Sequence, residues 1–428
     1  MYTFYMYIQR FIFMFSATLR VLIFNNYYFK SNEGFEDLST TIIAKSPLLI
    51  KIAQWFSTRE DIMDVKKRRI LQKFQSFAPI DDFNYVSQTL IDDPVINMSD
   101  ITKLDKIPIA SGSIAQVHRC LYKNKPCALK IIHENAGMLL IDLKILISFL
   151  NFLRHFVSYL NSINYNEIFD ELSEQTNLRK EYDNYQAVGH NLRKTPLVVV
   201  PKVYQASSNC LAMEYYDGVH FDQLLKSEQT DMRKRMICLF YKMVLRDKLC
   251  HGDFHPGNFI FKKKNNTIEM CVLDFGVTHK IENKTQKALY YLYKSISSGN
   301  SEDVEIFFRN ALEKTMHLGE ILPYIIRDYQ TQTAYIKKHK VNGKGSTPAY
   351  IKTAFKITNH YNESFSGTVF NMMLQILMLH ENVDIKDKNK SIFMEAFNDM
   401  SSSSYYVGQL GYKIKTLKDA MISSGYEL

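Results

Sequence analysis

The hydrophobic pattern of the chain changes period several times, and each change predicts a change of secondary structure. Over residues 35–100, apolar residues recur at helical spacing, as at Leu48, Ile52 and Phe56. Residues 107–122 and 126–132 instead have the pattern of strands, joined by a turn at Lys123-Asn124-Lys125. The pattern then predicts, in chain order, helices over 137–160 and 166–192, strands over 197–204 and 210–215, a helix over 229–249 and a hairpin of residues 258–263 and 267–274.

From about residue 283 to the end the spacing is helical again, and Gly343 and Gly345 favour a loop over residues 337–348. The sequence therefore predicts an α+β chain. Helices come first, followed by a small sheet with a helical insert, a connecting stretch and a mostly helical half. A length of 428 residues suits a two-lobed domain with additional helices.

Composition narrows the class of protein. Hydrophobic residues make up 46% and charged residues 23%, which is typical of a folded globular chain. The net charge of +9 is compatible with nucleotide phosphates or an anionic membrane surface, while no arginine-rich tract indicates nucleic acid. The six cysteines form no Cys-x-x-Cys pair, so we expect buried thiols in a reducing compartment rather than disulfides or a metal site.

The first 32 residues contain no acidic residue, and Arg10, Arg20 and Lys30 interrupt an aromatic and aliphatic stretch. Basic residues without acids are typical of a mitochondrial targeting segment. A membrane-associated helix is a second interpretation, although Arg10 lies inside the only window long enough to span a bilayer. A helix packed on the rest of the protein is the third, and the pattern leaves all three open.

Lys130 lies in the apolar run Ala128-Leu129-Lys130-Ile131-Ile132. Burying a lysine on a strand requires a partner for its charge, unless the ammonium group reaches water. In kinases such a lysine neutralises the α- and β-phosphates of the nucleotide, and a helix glutamate orients it.

The run His-Gly-Asp-Phe-His-Pro-Gly-Asn occupies residues 251–258 and places Asp253 and Asn258 five positions apart, as in a kinase catalytic loop. Asp253 can orient or accept the proton of a phosphoryl acceptor, and Asn258 can bind a metal ion. After the predicted hairpin, Asp274-Phe275-Gly276 places a carboxylate at a strand end, where it suits a magnesium ligand that bridges phosphates. These three motifs, in this order, predict a site for phosphoryl transfer.

Three further runs distinguish between families with such loops. Residues 108–118 read Pro-Ile-Ala-Ser-Gly-Ser-Ile-Ala-Gln-Val-His, residues 51–54 read Lys-Ile-Ala-Gln, and residues 213–218 read Met-Glu-Tyr-Tyr-Asp-Gly. Together with the 251–258 loop, they resemble the UbiB family of atypical kinases, also called AarF-domain-containing kinases. The resemblance covers about residues 45–300. It implies an atypical protein-kinase-like fold with two lobes, an N-terminal helical extension and a mostly helical C-lobe.

The resemblance also implies boundaries and roles. The segments would be residues 1–34 for targeting or membrane association, 35–104 for the extension, 105–219 for the N-lobe and 220–428 for the C-lobe. The implied site consists of the phosphate lysine Lys130 with its partner Glu181, the catalytic aspartate Asp253, the metal ligands Asn258 and Asp274, the nucleotide loop Ala110, Ser111, Gly112 and Ser113, the adenine hinge Glu214 to Tyr216, and the regulatory Lys51 and Gln54. It implies ATP and Mg²⁺, a lipid or quinone-pathway partner, and a mitochondrial location.

The chain departs from the family pattern at several positions. Gln175 and Asn177 replace the two acids that would hold the Lys51 ammonium, Ala53 replaces a glycine, and Gly112 replaces an alanine, which favours a more conventional glycine-rich loop. No Ala-Pro-Glu triplet follows Gly276, so a long activation segment is not expected.

Two other functions remain open from the sequence. The first is a nucleotide-binding pseudoenzyme that serves as a membrane-associated scaffold. The second is a small-molecule kinase of the aminoglycoside or choline type, whose loops also read His-Gly-Asp-x-His-x-x-Asn. The runs around Lys51 and Gln116 disfavour this last class.

Overall fold

A computed structural model of the chain describes residues 2–57, 64–76, 80–153, 165–264, 267–298, 300–313, 317–339, 346–361 and 363–380. The chain divides into two compact units. The first comprises Met1–Ala187 and Pro201–Tyr216, and the second comprises Val188–Val200 and Asp217–Leu428.

The first unit begins with helices and continues into a sheet. Its helices are α1 Tyr2–Ile23, α2 Asn25–Lys30, α3 Asn32–Thr41, α4 Pro47–Ser57, α5 Val65–Ser76, α6 Phe83–Ile91, α7 Gly137–Leu153, α8 Tyr165–Glu174 and α9 Leu178–Leu192. Its strands are β1 Ile101–Thr102, β2 Ala110–Ser111, β3 Ala115–Tyr122, β4 Lys125–Ile132, β6 Val203–Ala206 and β7 Cys210–Glu214. They pair antiparallel in the order β1-β3-β4-β7-β6, with β2 also on β3.

The predicted turn between β3 and β4 is present. Lys123 and Asn124 both have positive φ, at 47° and 63°. Two successive positive φ values are typical of the type I′ turn, whose twist matches that of the paired strands. This turn fixes the register of β3 against β4.

The two faces of this sheet have different neighbours. On one face Cys120, Leu129 and Ala212 pack with Val86 and Leu90 of α6. Because side chains alternate along a strand, Lys130 points to the opposite face. The N-terminal extension therefore covers the back of the sheet that carries this lysine.

Helix α1 packs along one face. Its buried positions Arg10, Met14 and Ala17 follow helical spacing, and Ala17 joins a core cluster with residues of α2 to α5. The Arg10 guanidinium forms two hydrogen bonds to the Asp142 carboxylate of α7, one of them 2.7 Å from Nε to Oδ1. The Asp142 side chain is 0% exposed, and Ser46 Oγ also donates to it at 2.5 Å.

The opposite face of α1 is apolar and exposed. It carries Ile8, Ile12, Phe15, Leu19 and Leu22. Among the described helices, Tyr5–Ile23 is the one stretch whose length and composition would let it cross a membrane; its mean hydropathy is 1.3, and 17% of it is buried within the protein. Arg10, the charge inside this stretch, is one of its buried residues.

The second unit contains two small sheets and a set of helices. Its strands are β5 Val198–Val199, β8 Leu249–His251, β9 Phe259–Lys264, β10 Thr267–Val272 and β11 Thr278–Lys280, which pair as β5-β10-β9 and β11-β8. Its helices are α10 Lys226–Tyr241, α11 Asn283–Ser298, α12 Ser301–Ala311, α13 Leu318–His339, α14 Ser346–His360 and α15 Gly367–His380. A π-helical turn, Lys242–Asp247, follows α10.

Two predicted elements were wrong. The helix expected over 166–192 is broken into α8 and α9, because Thr176 Oγ1 bonds back to Ser173 O and Asn177 Oδ1 accepts the Arg179 N–H as a new helix cap. The single strand expected over 197–204 is two strands. Pro201, which has no N–H to donate, lies between β5 and β6, and these two strands pair in different sheets.

Other expectations fall partly outside the described residues. The helix predicted over 137–160 extends to Leu153, and residues 154–160 are not described. The loop predicted over 337–348 is helical at both ends, with 340–345 undescribed, and residues 381–428 are likewise not described. All six cysteines are free and buried, as predicted.

We predict that the buried pair of Arg10 and Asp142 is strongly coupled. Replacing Asp142 by Asn leaves a buried guanidinium with a neutral partner, and we expect a loss of about 3–5 kcal/mol in the free energy of unfolding. Adding Arg10→Met should recover much of that loss in urea titrations. The exposed pair Lys73–Glu36 is the control, and Lys73→Met should have almost no effect. Additive losses in the Arg10/Asp142 double variant would contradict the coupling.

Candidate active site

The first unit places Lys130 against Glu181. Lys130 Nζ lies 3.0 Å from Oε1 and 2.8 Å from Oε2 of Glu181, which belongs to the first turn of α9. The lysine side chain is 15% exposed and the glutamate 3%. The glutamate balances a charge that is largely removed from water and fixes the ammonium group in place.

The predicted nucleotide loop is the tight connection between β2 and β3. Ala110 pairs with Val117, Ser111 pairs with Gln116, and the Gly112 N–H donates to Ala115 O at 2.9 Å. Gly112 permits the backbone geometry of a conventional glycine-rich loop, but the structure does not use it. Its φ is not in the left-handed region, and an added Cβ would meet only Ala115 O at 3.7 Å. An alanine therefore fits this loop as it stands.

His133 holds this loop from behind. Its Nδ1 lies 2.6 Å from Asp81 Oδ2, and its Nε2 lies 3.1 Å from Gly112 O. Both partners are hydrogen-bond acceptors, so the ring connects the Asp81 carboxylate to the backbone of the loop. Ser111 Oγ is 3.3 Å from the same Nε2. Sequence reasoning missed this contact, since no motif marks Asp81 or His133.

The predicted hinge is the end of β7. The Glu214 N–H donates to Lys202 O at 2.9 Å, and the Tyr215 N–H donates to Pro126 O at 3.2 Å. The chain passes from the first unit to the second immediately after Tyr216. Gly218 follows in the second unit, where a Cβ would lie 2.6 Å from Phe261 O, so only glycine fits.

The predicted regulatory residues lie on α4. Gln54 Nε2 donates to Phe74 O at 2.8 Å, and Lys51 is half-buried. Ala53, where the family pattern has glycine, is buried in the core cluster of α1 to α5, so its methyl group contributes to packing. Asn177 caps α9, and Gln175 is buried.

In the second unit, His251 joins the two acidic loops. The ring is 0% exposed; its Nδ1 accepts the Asp253 N–H at 3.0 Å, and its Nε2 donates to Leu273 O at 3.0 Å. This pattern requires the neutral Nε2–H tautomer. Burial, the largest cause, lowers the pKa of His251 from its ordinary value of 6.5. One neutral ring thus fixes the backbone beside both Asp253 and Asp274.

Asn258 is tied to the same loop. The side-chain Nδ2 of Asn258 donates to Asp253 O at 2.8 Å, and its backbone carbonyl accepts the Leu273 N–H at 2.9 Å. Asp274 follows with φ 58°, a left-handed conformation that aspartate tolerates better than most residues. The Gly276 N–H lies 3.3 Å from Asp274 Oδ1. The second unit therefore brings the backbones of the two predicted metal ligands next to each other.

These two ligands fit Mg²⁺. The ion prefers oxygen donors and usually takes one or two carboxylates from the protein, with phosphates and water completing its shell. Asn258 and Asp274 offer one amide oxygen and one carboxylate. Within the described ranges, no group of three or more His, Cys, Asp or Glu side chains could hold a metal by itself.

His255 lies beside the predicted catalytic aspartate, Asp253. Its Nδ1 accepts the Gly257 N–H at 3.0 Å, so the proton of the neutral ring is on Nε2. That nitrogen lies 3.5 Å from Asp253 Oδ2, longer than a well-formed hydrogen bond.

The segment after Gly276 is short. The Gly252 N–H donates to Val277 O at 2.8 Å, β11 pairs with β8, and α11 begins at Asn283. A Cβ on Gly252 would lie 2.2 Å from Val277 Cγ1, so glycine is required for this close approach. This route leaves no room in the chain for a long activation segment before α11.

A strand lysine paired with a helix glutamate, followed by an Asp–Asn loop and a strand-end aspartate, defines an atypical protein-kinase-like domain. The family model of the ABC1 atypical kinase-like domain matches residues 75–307, more than half of the chain, and the chain belongs to this family. The predicted UbiB-type resemblance and the α+β kinase-like fold are confirmed.

Several curated proteins named as probable UbiB kinases are similar to this chain. A protein from Blochmanniella pennsylvanica, called "Probable protein kinase UbiB", is 31% identical over 264 residues, covering 58% of this chain and 47% of the relative. A protein of the same name from Shewanella sp. (strain W3-18-1) is 27% identical over 264 residues, covering 58% and 48%. The chain spans about half the length of the curated relatives it matches.

One solved structure, Rv3197 from Mycobacterium tuberculosis in complex with erythromycin, is 18% identical. The alignment covers 82% of this chain and 96% of that one, with a TM-score of 0.48. A score below 0.5 adds nothing to the family assignment.

We predict that the contribution of His251 to stability depends on pH. Its pKa is lowered in the folded state, so its contribution should be complete above the unfolded value of about 6.5 and decline as pH falls below it. The difference in free energy of unfolding between the native chain and His251→Gln should therefore shrink from pH 8 to pH 5, as urea titrations would measure. A difference that grows on acidification would contradict the neutral tautomer.

Proposed function

We propose that this chain is an ATP- and Mg²⁺-dependent atypical kinase or ATPase that acts in mitochondrial lipid or ubiquinone metabolism. The observation that carries the proposal is the hydrogen-bonded loop around Asp253, in which the acidic and amide groups needed for phosphoryl transfer are retained and fixed. The relatives named UbiB support the quinone or lipid context, and the basic N-terminal segment without acids supports the mitochondrial one.

Each residue then has a role. Lys130, held by Glu181, would neutralise nucleotide phosphates. Asp253 would orient the acceptor or take its proton. Asn258 and Asp274 would hold Mg²⁺, which when bound would spread the negative charge of the phosphate oxygens. Backbone groups of Glu214 to Tyr216 would read the adenine.

The pseudoenzyme is the principal competing function. Gln175 and Asn177 lack the acids of the family pattern, which is compatible with altered regulation or with lost catalysis. The two functions differ in one observable. A pseudoenzyme binds ATP without turnover, whereas the proposed enzyme does both.

We predict that Asp274→Asn lowers Mg²⁺-dependent ATP turnover by about 100-fold or more, because it removes a charged ligand for the ion. Glu181→Gln should lower turnover as well, since it leaves the Lys130 ammonium without its carboxylate. Asp222→Asn, an exposed aspartate of the same unit, is the matched control and should leave turnover unchanged. Turnover that is insensitive to Asp274→Asn would refute the catalytic assignment.

We also propose that the exposed face of α1 lies on an anionic membrane surface. The face is apolar over about four turns, and the segment of residues 1–32 carries basic but no acidic residues. An amphipathic helix of this kind binds at the lipid interface through apolar burial and attraction to anionic headgroups. The buried Arg10–Asp142 pair would keep the other face on the protein.

We predict that the double variant Ile12→Gln with Leu19→Gln weakens binding to vesicles containing anionic lipid by about tenfold or more, because two apolar side chains leave the interface. Ile107→Gln is the control, since Ile107 is 78% exposed on a different element of the same unit. Sedimentation with vesicles measures both. Equal losses for the two variants, or binding that ignores lipid charge, would contradict this orientation.

A further inference from the structure

Helix α15 reaches the catalytic loop through one side chain. Gln375, which is 1% exposed, donates from Nε2 to Gly252 O at 2.8 Å and accepts the Phe254 N–H on Oε1 at 3.3 Å. These two groups belong to the peptide units immediately before and after Asp253. One amide from a distant helix therefore brackets the predicted catalytic aspartate.

The orientation of this amide is determined by its partners. The Phe254 N–H can only donate, so it faces Oε1, and Nε2 then faces the Gly252 carbonyl. The second hydrogen of Nε2 goes to Asn371 Oδ1 at 2.8 Å. Asn371 must then donate from Nδ2 to His279 Nε2, 3.0 Å away on β11. The network thus links α15 to both the catalytic loop and the strand after Asp274.

With these bonds, each N–H and carbonyl of the two peptide units that flank Asp253 has a side-chain partner. The Asp253 N–H bonds to His251, the Asp253 carbonyl to Asn258, and the flanking Gly252 carbonyl and Phe254 N–H to Gln375. His251 and Asn258 belong to the loop motif itself. Gln375 is more than 120 positions away and lies beyond the residues 75–307 matched by the family model.

We propose that Gln375 is a positioning residue for Asp253, and that Asn371 supports it by holding its amide. This proposal rests on the proposed function, in which Asp253 acts on the acceptor. The Asp253 side chain is 45% exposed, so packing around the carboxylate contributes little to its placement. The direction of the Asp253 carboxylate depends on the two peptide planes that Gln375 fixes. A displacement of a reacting group by about 1 Å is enough to lower a catalytic rate by about 100-fold.

The test compares Gln375→Met with Gln286→Met. Gln286 also donates to a backbone carbonyl of the second unit, that of Leu245 at 2.7 Å, which lies outside the loop of residues 251–258, so it controls for the loss of a glutamine–backbone bond. Gln375→Met should lower the turnover number by about 10- to 100-fold, and it should change the Kd for Mg²⁺-ATP by less than about threefold. Gln286→Met should change neither.

The Asp253→Asn background separates positioning from general damage. If Gln375 acts through Asp253, Gln375→Met should cause no further loss of turnover in that background, because the group it positions is already disabled. Equal fold losses in both backgrounds would overturn the proposal. Asn371→Ala serves if Gln375→Met fails to fold, and it should cause a smaller loss of the same kind.

A separate readout keeps this proposal independent of the proposed function. If the native chain shows no ATP turnover, the proposed function is refuted. The hydrogen bonds from Gln375 to the loop can still be measured by amide hydrogen exchange. Exchange in the peptide spanning residues 252–255 should be faster in Gln375→Met than in Gln286→Met. Identical exchange in the two variants would show that Gln375 does not hold the loop.

Discussion

The imidazole of His251 lies between two loops, and each of its nitrogens bonds to a different one. Burial lowers the pKa of the ring. The two hydrogen bonds require the neutral tautomer with its proton on Nε2. This constraint sets the path of the chain beside both Asp253 and Asp274. Two further features accompany this close approach: Gly252 lies where a Cβ would overlap Val277, and Asp274 has a left-handed backbone.

In the first unit, an ion pair rather than a neutral ring fixes the position of a predicted site residue. Lys130 is largely removed from water, and Glu181, in the first turn of α9, balances its charge. The N-terminal extension covers the other face of the sheet with α6 and sends Asp81 to His133 behind the nucleotide loop. Helix α1, which precedes this extension, adds the Arg10–Asp142 pair. The extension is therefore part of the structure that supports the lysine and the loop.

Local chemistry decided what could be predicted from the sequence. Lys130, Asp253, Asn258 and Asp274 lie in short motifs whose spacing alone indicates their roles, and the Lys123-Asn124 turn has a clear signal. The contacts between Asp81 and His133, and between Gln375 and the loop, join residues about 50 and 120 positions apart, with no local pattern at either end. The break between α8 and α9 depends on the side-chain cap at Asn177. The helical periodicity of residues 166–192 continues across this position, so the sequence pattern predicted one helix. The glycine at 112 suggested a special backbone, but only the observed φ and the space around it could show otherwise.

We expect the intact acidic loops to bind ATP together with Mg²⁺. Isothermal titration calorimetry of ATP at constant ionic strength, with and without Mg²⁺, measures this binding. In the native chain, binding should be saturable and should require Mg²⁺, and Asp274→Ala should lose that requirement, with any residual binding weak. Equal affinity with and without the ion in the native chain would contradict it.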